Sequence, residues 1–308
     1  WTDLLTLDML AEDEVVLKSS EGDDNIQIQK LRTGSYGYYY QFTRNMLQIN
    51  QKNNSFSETA LLSGISATDW SWSALFGDYD QDGEQDIFIT NGIPKRPNDL
   101  DFINFVSNEQ IAQKINNTNL VDQQALNMMP SGAIHNYVYK GLGNLEFRDE
   151  SKNWISKDSL ISGAAAYADL DNDGDLDLVV NNTNAVAQLY INKTNSKANY
   201  LKLKFEFDKK NQFGIGTKVF AYLNNTLQYK ELYTVRGFQS SSEPIIHFGF
   251  NQIETIDSLK IIWPNKTYQV LKNVKTNQTL VLKPENAKPF NYNELAPKLK
   301  QIFKKTNN

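Results

Sequence analysis

The chain has 308 residues, a formal net charge of −5, 40% hydrophobic and 12% aromatic residues, and no cysteine. This length and composition predict a sizeable buried core divided between two structural units. The acidic balance argues against nucleic acid as a partner, because nucleic acid requires a basic surface. The absence of cysteine excludes disulfides, thiolate nucleophiles and thiolate metal ligands, so we expect any bound metal to use oxygen ligands.

The sequence also lacks membrane and export signals. No apolar run approaches the roughly 20 residues that a membrane-spanning helix needs. The first ten residues, WTDLLTLDML, have neither a basic region nor a small-residue cleavage site. We therefore expect a soluble chain without a transmembrane segment, and its start looks like a cut.

One short pattern occurs three times along the chain, in the segments Trp1–Leu7, Asp82–Thr90 and Asp173–Asn181. In this alignment Asp3 corresponds to Asp86 and Asp177. An internal repeat of this kind indicates a fold built from repeated units. Because the first copy lacks the aspartates that precede the other two, we expect Trp1 to lie within a loop that begins upstream.

Between these copies, short runs of β-branched and aromatic residues predict strands. The clearest runs are Tyr36–Phe42, Asn45–Asn50 and Asn136–Gly141. Two segments, Met46–Glu58 and Tyr137–Asp149, each place a turn rich in Asn and Gly between two strands, which predicts a hairpin. Each hairpin leads to an aspartate loop and another strand, so the predicted repeat is a propeller blade of four strands.

A different pattern occupies residues 98–130, in a connection between two predicted strands. Phe102, Phe105, Ile111 and Ile115 recur at roughly helical spacing. We expect one or two helices inserted into the blade, which either pack on the propeller or form a docking surface for a partner.

From residue 198 the aspartate loops cease and strands with alternating apolar and polar residues follow one another. The predicted strands are YLKLKFEF, KVFAYL, YKELYTV, IIHFGF, SLKIIWP, QVLKNV and QTLVLKP. They indicate an antiparallel, sandwich-like second domain. In the Lys-rich end, Leu299, Ile302 and Phe303 at helical spacing predict a short helix or a linker. The predicted divisions are 1–197, 198–284 and 285–308.

Two loops fit the pattern D-x-D-x-D-G-x-x-D, in which alternate carboxylates on a tight turn converge on one point. Five acidic residues within nine positions repel one another unless a cation is bound, so metal binding and loop folding should be coupled. We predict two Ca²⁺ sites with the ligands Asp78, Asp80, Asp82, Glu84, Asp86, Asp169, Asp171, Asp173, Asp175 and Asp177.

The main competing interpretation is an EF-hand, whose loop begins in the same way. An EF-hand needs a bidentate Glu at position 12 and a following helix, whereas these loops have Ile89 and Val180 there and lead into strand-forming residues. Magnesium demands near-ideal octahedral geometry, which makes it the weaker candidate for loops of flexible carboxylates. A solvated acidic turn without metal is the remaining alternative.

No sequence motif indicates catalysis, and we do not expect an enzyme. His135 and His247 lie in or beside predicted strands, where structural roles are expected. A carboxylate pair of the kind that cleaves glycosidic bonds stays open, because its spacing is a property of the fold. Trp70 and Trp72 alternate across a predicted strand and serve either blade packing or a platform for stacking a sugar or a protein.

The segments GDYDQDGEQDIFITNG and YADLDNDGDLDLVVNN resemble the FG-GAP/VCBS repeats of integrin-α-like propellers. The second domain resembles the ASPIC/UnbV domain in its G-I-G, G-F-x-S, H-F-G and W-P signatures, the last three at Gly237–Ser240, His247–Gly249 and Trp263–Pro264. The predicted fold class is therefore all-β, with a partial β-propeller carrying a helical insertion, followed by a β-sandwich-like domain. About three blade equivalents are too few for the usual four to eight of a closed propeller.

The resemblance implies a protein at the extracellular or outer-membrane surface, of the type found in large Bacteroidota surface proteins. We expect a calcium-binding scaffold or adhesion-type protein whose blades, stiffened by calcium, present a surface to a protein or a glycan, with other subunits or chain segments as further partners. The alternative is a component that captures or degrades polysaccharide beside an outer-membrane nutrient importer. A cleft with two or more exposed aromatic residues and a carboxylate pair outside both loops would favour that alternative.

Two Asp-Ser-Leu triplets, Asp158–Leu160 and Asp257–Leu259, resemble the acceptor motif for O-glycosylation in that phylum. Three residues recur easily by chance, so plain loop or strand serines are the competing interpretation.

Overall fold

The computed structural model describes residues 2–22, 25–108, 119–194, 198–224 and 226–295. Within these ranges the chain is mostly β, with several open sheets and none closed into a barrel. The predicted fold class, a partial β-propeller followed by a sandwich-like domain, is confirmed.

The first ten strands are β1 Leu4–Thr6, β2 Met46–Asn50, β3 Phe56–Glu58, β4 Ser71–Gly77, β5 Asp86–Asn91, β6 Tyr137–Gly141, β7 Phe147–Asp149, β8 Ser162–Ala168, β9 Asp177–Asn182 and β10 Gln188–Tyr190. The helices among them are α1 Glu14–Ser19, α2 Ile26–Gly34, α3 Leu100–Val106, α4 Asn119–Met128 and α5 Ser151–Trp154.

The later strands are β11 Tyr200–Phe205, β12 Lys218–Leu223, β13 Thr226–Glu231, β14 Ile245–Gly249, β15 Thr255–Ile262, β16 Thr267–Lys275, β17 Gln278–Leu282 and β18 Lys288–Pro289. A 3₁₀ turn at Tyr292–Leu295 follows them.

The described residues form two compact units. The first unit extends to Tyr200 and also includes Thr234–Glu243 and Phe248–Gln252. The second unit comprises Leu201–Tyr233, Pro244–His247 and the described residues from Ile253 onward. The predicted domain limits at 197/198 and 284/285 stay predictions.

The first unit contains three antiparallel sheets that follow one another along the chain, in the orders β1-β2-β3, β4-β5-β6-β7 and β8-β9-β10. Both predicted hairpins are present, as β2 with β3 and β6 with β7. The middle sheet is the four-stranded blade that the sequence predicts, whereas the described parts of the other two have three strands.

A repeated contact confirms the threefold sequence alignment. The backbone N–H of Asn50 donates to Asp3 at 2.8 Å, and the corresponding N–H of Gly141 donates to Asp86 at 2.9 Å. In the third sheet the N–H of Asn192 donates to Asp177 at 2.8 Å. In each sheet an aspartate at or just before the start of one strand therefore holds the end of its neighbour.

Strand β5 is buried on both faces, since its alternate side chains enter two different apolar clusters. Ile87 and Ile89 join Leu47 and Tyr137 in one cluster, which includes residues of the first and second sheets. Phe88 enters the other cluster, with Leu75, Val138, Ala165, Leu176, Leu178 and Val180 of the second and third blades. Consecutive sheets thus pack face to face, as propeller blades do.

Helices occupy the connection between β5 and β6, as predicted for residues 98–130. Asp99 accepts a hydrogen bond from the N–H of Phe102 and caps α3. Part of the insertion, including Ile111 and Ile115, lies outside the described residues. The corresponding connection between β1 and β2 carries α1 and α2, which the sequence analysis did not predict. Both helices are short, and their described residues are not buried, so no apolar face marked them.

The strand predicted at Tyr36–Phe42 is wrong. The segment forms no strand, and Tyr39 is 93% exposed. The alternation of aromatic residues favours a strand, but Gly37 takes a left-handed φ of +70° that interrupts extended backbone. Aromatic patterning describes side chains that fit a sheet and does not supply a partner strand.

The second unit contains the sheet β13-β12-β15-β16-β18 and strands of the sheet β14-β11-β17. The sequence predicts all-antiparallel pairing, but β11 and β17 are parallel, with Leu203 opposite Leu280. Alternation reports which face of a strand is buried and not the direction of its neighbour, so this prediction is corrected. The predicted helix or linker around Leu299, Ile302 and Phe303 lies outside the described residues.

Candidate metal sites

Both aspartate loops lie at the same place in their blades, where one antiparallel strand turns into the next. Loop 1 (Asp78–Asp86) joins β4 to β5, and loop 2 (Asp169–Asp177) joins β8 to β9. Each loop brings one carboxylate oxygen from three aspartates within 4.8 Å of one another. The two groups, Asp78 with Asp80 and Asp86, and Asp169 with Asp171 and Asp177, could hold metal ions.

The aspartate at the ninth position of each loop accepts hydrogen bonds from two backbone N–H groups. Asp86 accepts from the N–H of Tyr79 at 2.8 Å, in addition to Gly141. Asp177 accepts from the N–H of Leu170 at 2.8 Å, in addition to Asn192. The loop is therefore closed by its own first residues and by the next strand.

The first aspartate of each loop accepts from the glycine that makes the sharp turn. Gly83 donates to Asp78 at 3.1 Å, and Gly174 donates to Asp169 at 3.0 Å. These glycines have φ of 99° and 106°, a region that side chains with a Cβ rarely adopt. The D-x-D-x-D-G pattern needs glycine there because the backbone must curl to bring the carboxylates together.

The other four predicted ligands, Asp82, Glu84, Asp173 and Asp175, are not members of either group of three. Asp82 accepts from the backbone N–H of Glu84 at 2.9 Å, and Glu84 itself is exposed. Asp175 is buried and accepts from the N–H of Thr194 at 3.0 Å, while Asp173 faces the N–H of Asp175 at 3.3 Å. Metal binding by these four residues, with Glu84 and Asp175 offering their backbone carbonyls, stays a prediction.

In the absence of a cation, the electrostatics of both loops oppose full ionisation of their carboxylates. Burial raises the pKa of Asp86 to about 8, and the charges of Asp80 and Asp78 add to the rise. In loop 2, burial and the neighbouring Asp171 raise the pKa of Asp173. Two backbone hydrogen bonds do not offset these effects at Asp86. A bound cation would favour the ionised form of every one of these carboxylates.

Loop 1 contacts a cation supplied by the protein. The ammonium nitrogen (Nζ) of Lys140 hydrogen-bonds to Asp80 and lies 2.6 Å from an oxygen of Asp82. Burial alone would lower the pKa of Lys140, but the hydrogen bonds to these two carboxylates raise it above its usual value. The sequence analysis did not identify this lysine, since its partners are 58 and 60 residues away in the chain.

Direct hydrogen bonds connect the two loops. The side-chain nitrogen of Gln81 donates to the carbonyl oxygen of Gly174 at 2.8 Å. The side-chain nitrogen of Asn192 donates to the carbonyl oxygens of Tyr79 and Leu176 at 2.7 and 3.1 Å. Both loops therefore share one hydrogen-bond network.

A residue far along the chain completes loop 1. The N–H of Gly249 donates to Asp78 at 3.0 Å, and that of Asn251 donates to the carbonyl of Gln81 at 2.8 Å. A Cβ at position 249 would lie 2.2 Å from the Asp78 oxygen and 2.5 Å from the Gln81 Cα. Gly249 is the last residue of the H-F-G signature. That motif was the sequence feature that could have drawn attention to Gly249.

A cavity of about 490 Å³ opens beside loop 1. Half-buried Trp154 and Tyr190 line its wall. Among the described lining residues, Asp80 is the acidic one. It thus combines aromatic rings with a loop carboxylate, without a carboxylate pair outside the loops.

The remaining singled-out side chains have structural contacts. Trp72 donates from its indole nitrogen to the Gly92 carbonyl at 2.7 Å, and its ring centroid lies 5.0 Å from that of Phe238. His135 packs on Tyr137 with ring centroids 4.5 Å apart, and His247 is buried in β14. Of the two triplet serines, Ser159 is exposed in a loop and Ser258 is half-buried in β15.

Face-to-face blades with aspartate loops between their strands define a propeller-type repeat protein. Comparison with family models assigns its parts: residues 124–180 match the FG-GAP-like repeat, and residues 207–289 match ASPIC and UnbV. The first match includes loop 2 and the second includes Gly249. Both resemblances drawn from the sequence are confirmed.

No curated protein matches the chain. None of the helices in the described part of the chain is both long and apolar enough to cross a membrane.

Proposed function

We propose that this protein is a calcium-binding scaffold or adhesion-type protein of the extracellular or outer-membrane surface. FG-GAP repeats suggest a surface or binding scaffold. The observation that carries the proposal is the duplicated loop: two neighbouring blades repeat the same three-carboxylate group and the same backbone donors. An acidic turn without a ligand needs no such repetition.

Calcium fits these loops better than magnesium. Calcium accepts six to eight oxygen ligands in a flexible geometry, and each loop offers three grouped carboxylates with further acidic side chains beside them. Backbone carbonyls and water complete such a shell. The raised pKa of Asp86 supports a cation here, because burying these carboxylates without one is unfavourable.

The consequence of binding is mechanical. Loops 1 and 2 share a hydrogen-bond network through Gln81 and Asn192, and the blades that carry them share an apolar cluster. A ligand that binds only the folded state stabilises it by an amount that grows with the logarithm of the ratio of ligand concentration to dissociation constant. Calcium would therefore hold two blades and their connection in one arrangement.

The surface that such blades present is the proposed site for a protein or glycan partner. The cavity beside loop 1 supports this, since Trp154 and Tyr190 supply aromatic surface close to a loop carboxylate. The alternative function is capture or degradation of polysaccharide beside an outer-membrane importer. The described lining residues favour binding over cleavage, because Asp80 stands there without a second carboxylate.

Thermal unfolding tests the calcium claim. The midpoint is measured with excess calcium, excess magnesium or chelator, for the wild type and for Asp80→Ala combined with Asp171→Ala. Calcium at a hundredfold above its dissociation constant should raise the midpoint by roughly 5 to 10 °C per site. The double substitution should remove the rise.

The matched control is Asp101→Ala combined with Glu146→Ala, which removes two exposed carboxylates outside the loops. This control should keep the calcium response. Identical midpoints for the wild type under all three conditions would overturn the proposal.

A further inference from the structure

The cation on loop 1 belongs to the protein itself. The Lys140 side chain is only 18% exposed and reaches loop 1 from β6, where its ammonium lies between Asp80 and Asp82. The ammonium also lies 6.0 Å from the ring centroid of Trp154, close enough for a cation–π interaction. Two carboxylates and an aromatic ring thus hold this positive charge in place.

Strand register identifies the counterparts of Lys140 in the other blades. Tyr139 lies opposite Ile87 in the second sheet, and Tyr190 lies opposite Leu178 in the third. The residue after Tyr139 is Lys140, and the residue after Tyr190 is Ile191.

The first sheet follows the same register. There Gln48 lies opposite Leu4 and is followed by Ile49. The next residue in each blade is the backbone donor to the aligned aspartate: Asn50, Gly141 or Asn192. At this position, two blades therefore carry isoleucine and the blade of loop 1 carries lysine.

We infer that Lys140 sets the order in which the two loops take up metal. Its ammonium competes with a divalent cation for Asp80 and Asp82, so loop 1 binds calcium more weakly than loop 2. Loop 2 has an isoleucine in the equivalent place and no lysine at that position opposes the incoming ion. This inference rests on the proposed calcium function and extends it.

The competition has a simple electrostatic origin. An ion among Asp78, Asp80 and Asp86 would sit within a few ångströms of an ammonium that is itself hydrogen-bonded to Asp80. The two positive charges repel, and either the ammonium leaves its carboxylates or the ion binds against it. Without metal, the same ammonium offsets the repulsion among the acidic side chains. Loop 1 is thus stabilised by Lys140 before it takes up an ion.

The test is a calcium titration by isothermal calorimetry on single-loop proteins. Asp171→Ala disables loop 2 and leaves loop 1, and Asp80→Ala does the reverse. We expect loop 1 alone to bind at least tenfold more weakly than loop 2 alone. Adding Lys140→Ile, which copies the residue of the other two blades, should tighten loop 1 at least tenfold. The reciprocal Ile191→Lys should weaken loop 2 by a similar factor.

Two controls separate charge from packing. Lys140→Met keeps most of the length of the side chain without its charge. It should raise the calcium affinity of loop 1 as Lys140→Ile does. Lys193→Ile removes an exposed positive charge near the same loops and should leave both affinities unchanged. A stability readout accompanies them: in chelator, Lys140→Ile should unfold at a lower temperature than the wild type, and excess calcium should close the gap.

The outcomes distinguish the role of Lys140 from the proposed calcium-binding function. If neither single-loop protein binds calcium, the proposed function fails. If both bind with equal affinity, or if Lys140→Ile and Lys140→Met leave loop 1 unchanged, the calcium function stands and the role of Lys140 is refuted. Should Lys140→Ile fail to fold, Lys140→Met and Ile191→Lys still decide the question.

Discussion

The side-chain nitrogen of Gln81 lies 2.8 Å from the carbonyl oxygen of Gly174 and donates a hydrogen bond to it. The two residues are 93 positions apart and belong to different aspartate loops. Gln81 is fully buried, and its backbone adopts a left-handed φ of 59°. This hydrogen bond therefore couples a side chain of loop 1 directly to the main chain of loop 2.

Replacing Gln81 with leucine should therefore destabilise the protein and uncouple its loops. The substitution keeps the volume but removes the hydrogen bond that the buried Gln81 side chain donates to the Gly174 carbonyl, at a cost of about 1 to 3 kcal/mol. The measurement is denaturant unfolding in chelator and in calcium. Gln85→Leu, at a partly exposed neighbouring glutamine, is the matched control and should change stability by less than about 0.5 kcal/mol. Equal stabilities for the two variants would contradict this role of Gln81.

Gly249→Ala should impair loop 1 from a position 171 residues away. The added methyl group would lie 2.2 Å from the Asp78 carboxylate, so the carboxylate or the backbone must shift. We expect a loss of about 1 to 3 kcal/mol in stability, as for other overpacked sites. Calcium affinity should fall at loop 1 and persist at loop 2, measured by titration of the single-loop proteins.

The control for this prediction is Gly163→Ala, since a Cβ at that position meets nothing within 4 Å. It should leave both stability and calcium binding near the wild-type values. Normal binding by loop 1 in Gly249→Ala would show that the contact with Asp78 is dispensable.

The lowered pKa of His135 predicts how the stability of the protein depends on pH. Its burial lowers its pKa in the folded protein below the usual value, so the unfolded chain takes up a proton more readily. The stabilising contribution is therefore present above the unfolded pKa of about 6.5 and is lost as pH falls through the lower folded pKa. The free energy of unfolding should decrease from pH 7.5 to pH 5.5 in excess calcium.

His135→Phe should reduce that pH dependence while keeping an aromatic ring against Tyr137. The comparison is the difference in unfolding free energy between the two pH values, for the variant and the wild type. An unchanged difference would mean that other groups account for the pH dependence.

The sequence was sufficient for the repeated parts of this molecule. The aspartate pattern placed both loops between strands, and the alignment of Asp3 with Asp86 and Asp177 is reproduced in their hydrogen bonds. Hairpins were also predictable, because turn chemistry and strand patterning are local. Local patterning also predicted β11 to β17, although the segment predicted for β13 was shifted along the chain. It missed β18 and the parallel pairing of β11 with β17.

What escaped prediction depends on distant contacts. Lys140 and Gly249 meet loop 1 only after the chain has folded. The H-F-G motif singles out Gly249 without indicating Asp78 as its partner, and no motif singles out Lys140. Tyr36–Phe42 failed for the opposite reason, since its local pattern was strong but the segment pairs with no strand among the described residues. Local chemistry defines candidate elements, and long-range packing decides which of them are used.

The aspartate loops and the helical insertions occupy different ends of the blade strands. Strand β5 starts at loop 1 and ends at Asn91, where the helical insertion departs, so the aspartate loops and the insertions lie at opposite ends of the blade. The two insertions meet at that far end, where Ser20 bridges to Asp99. Added sequence there does not interrupt a loop that gathers carboxylates. Sequence inserted at one rim of the blades therefore leaves the carboxylate groups at the other rim in place.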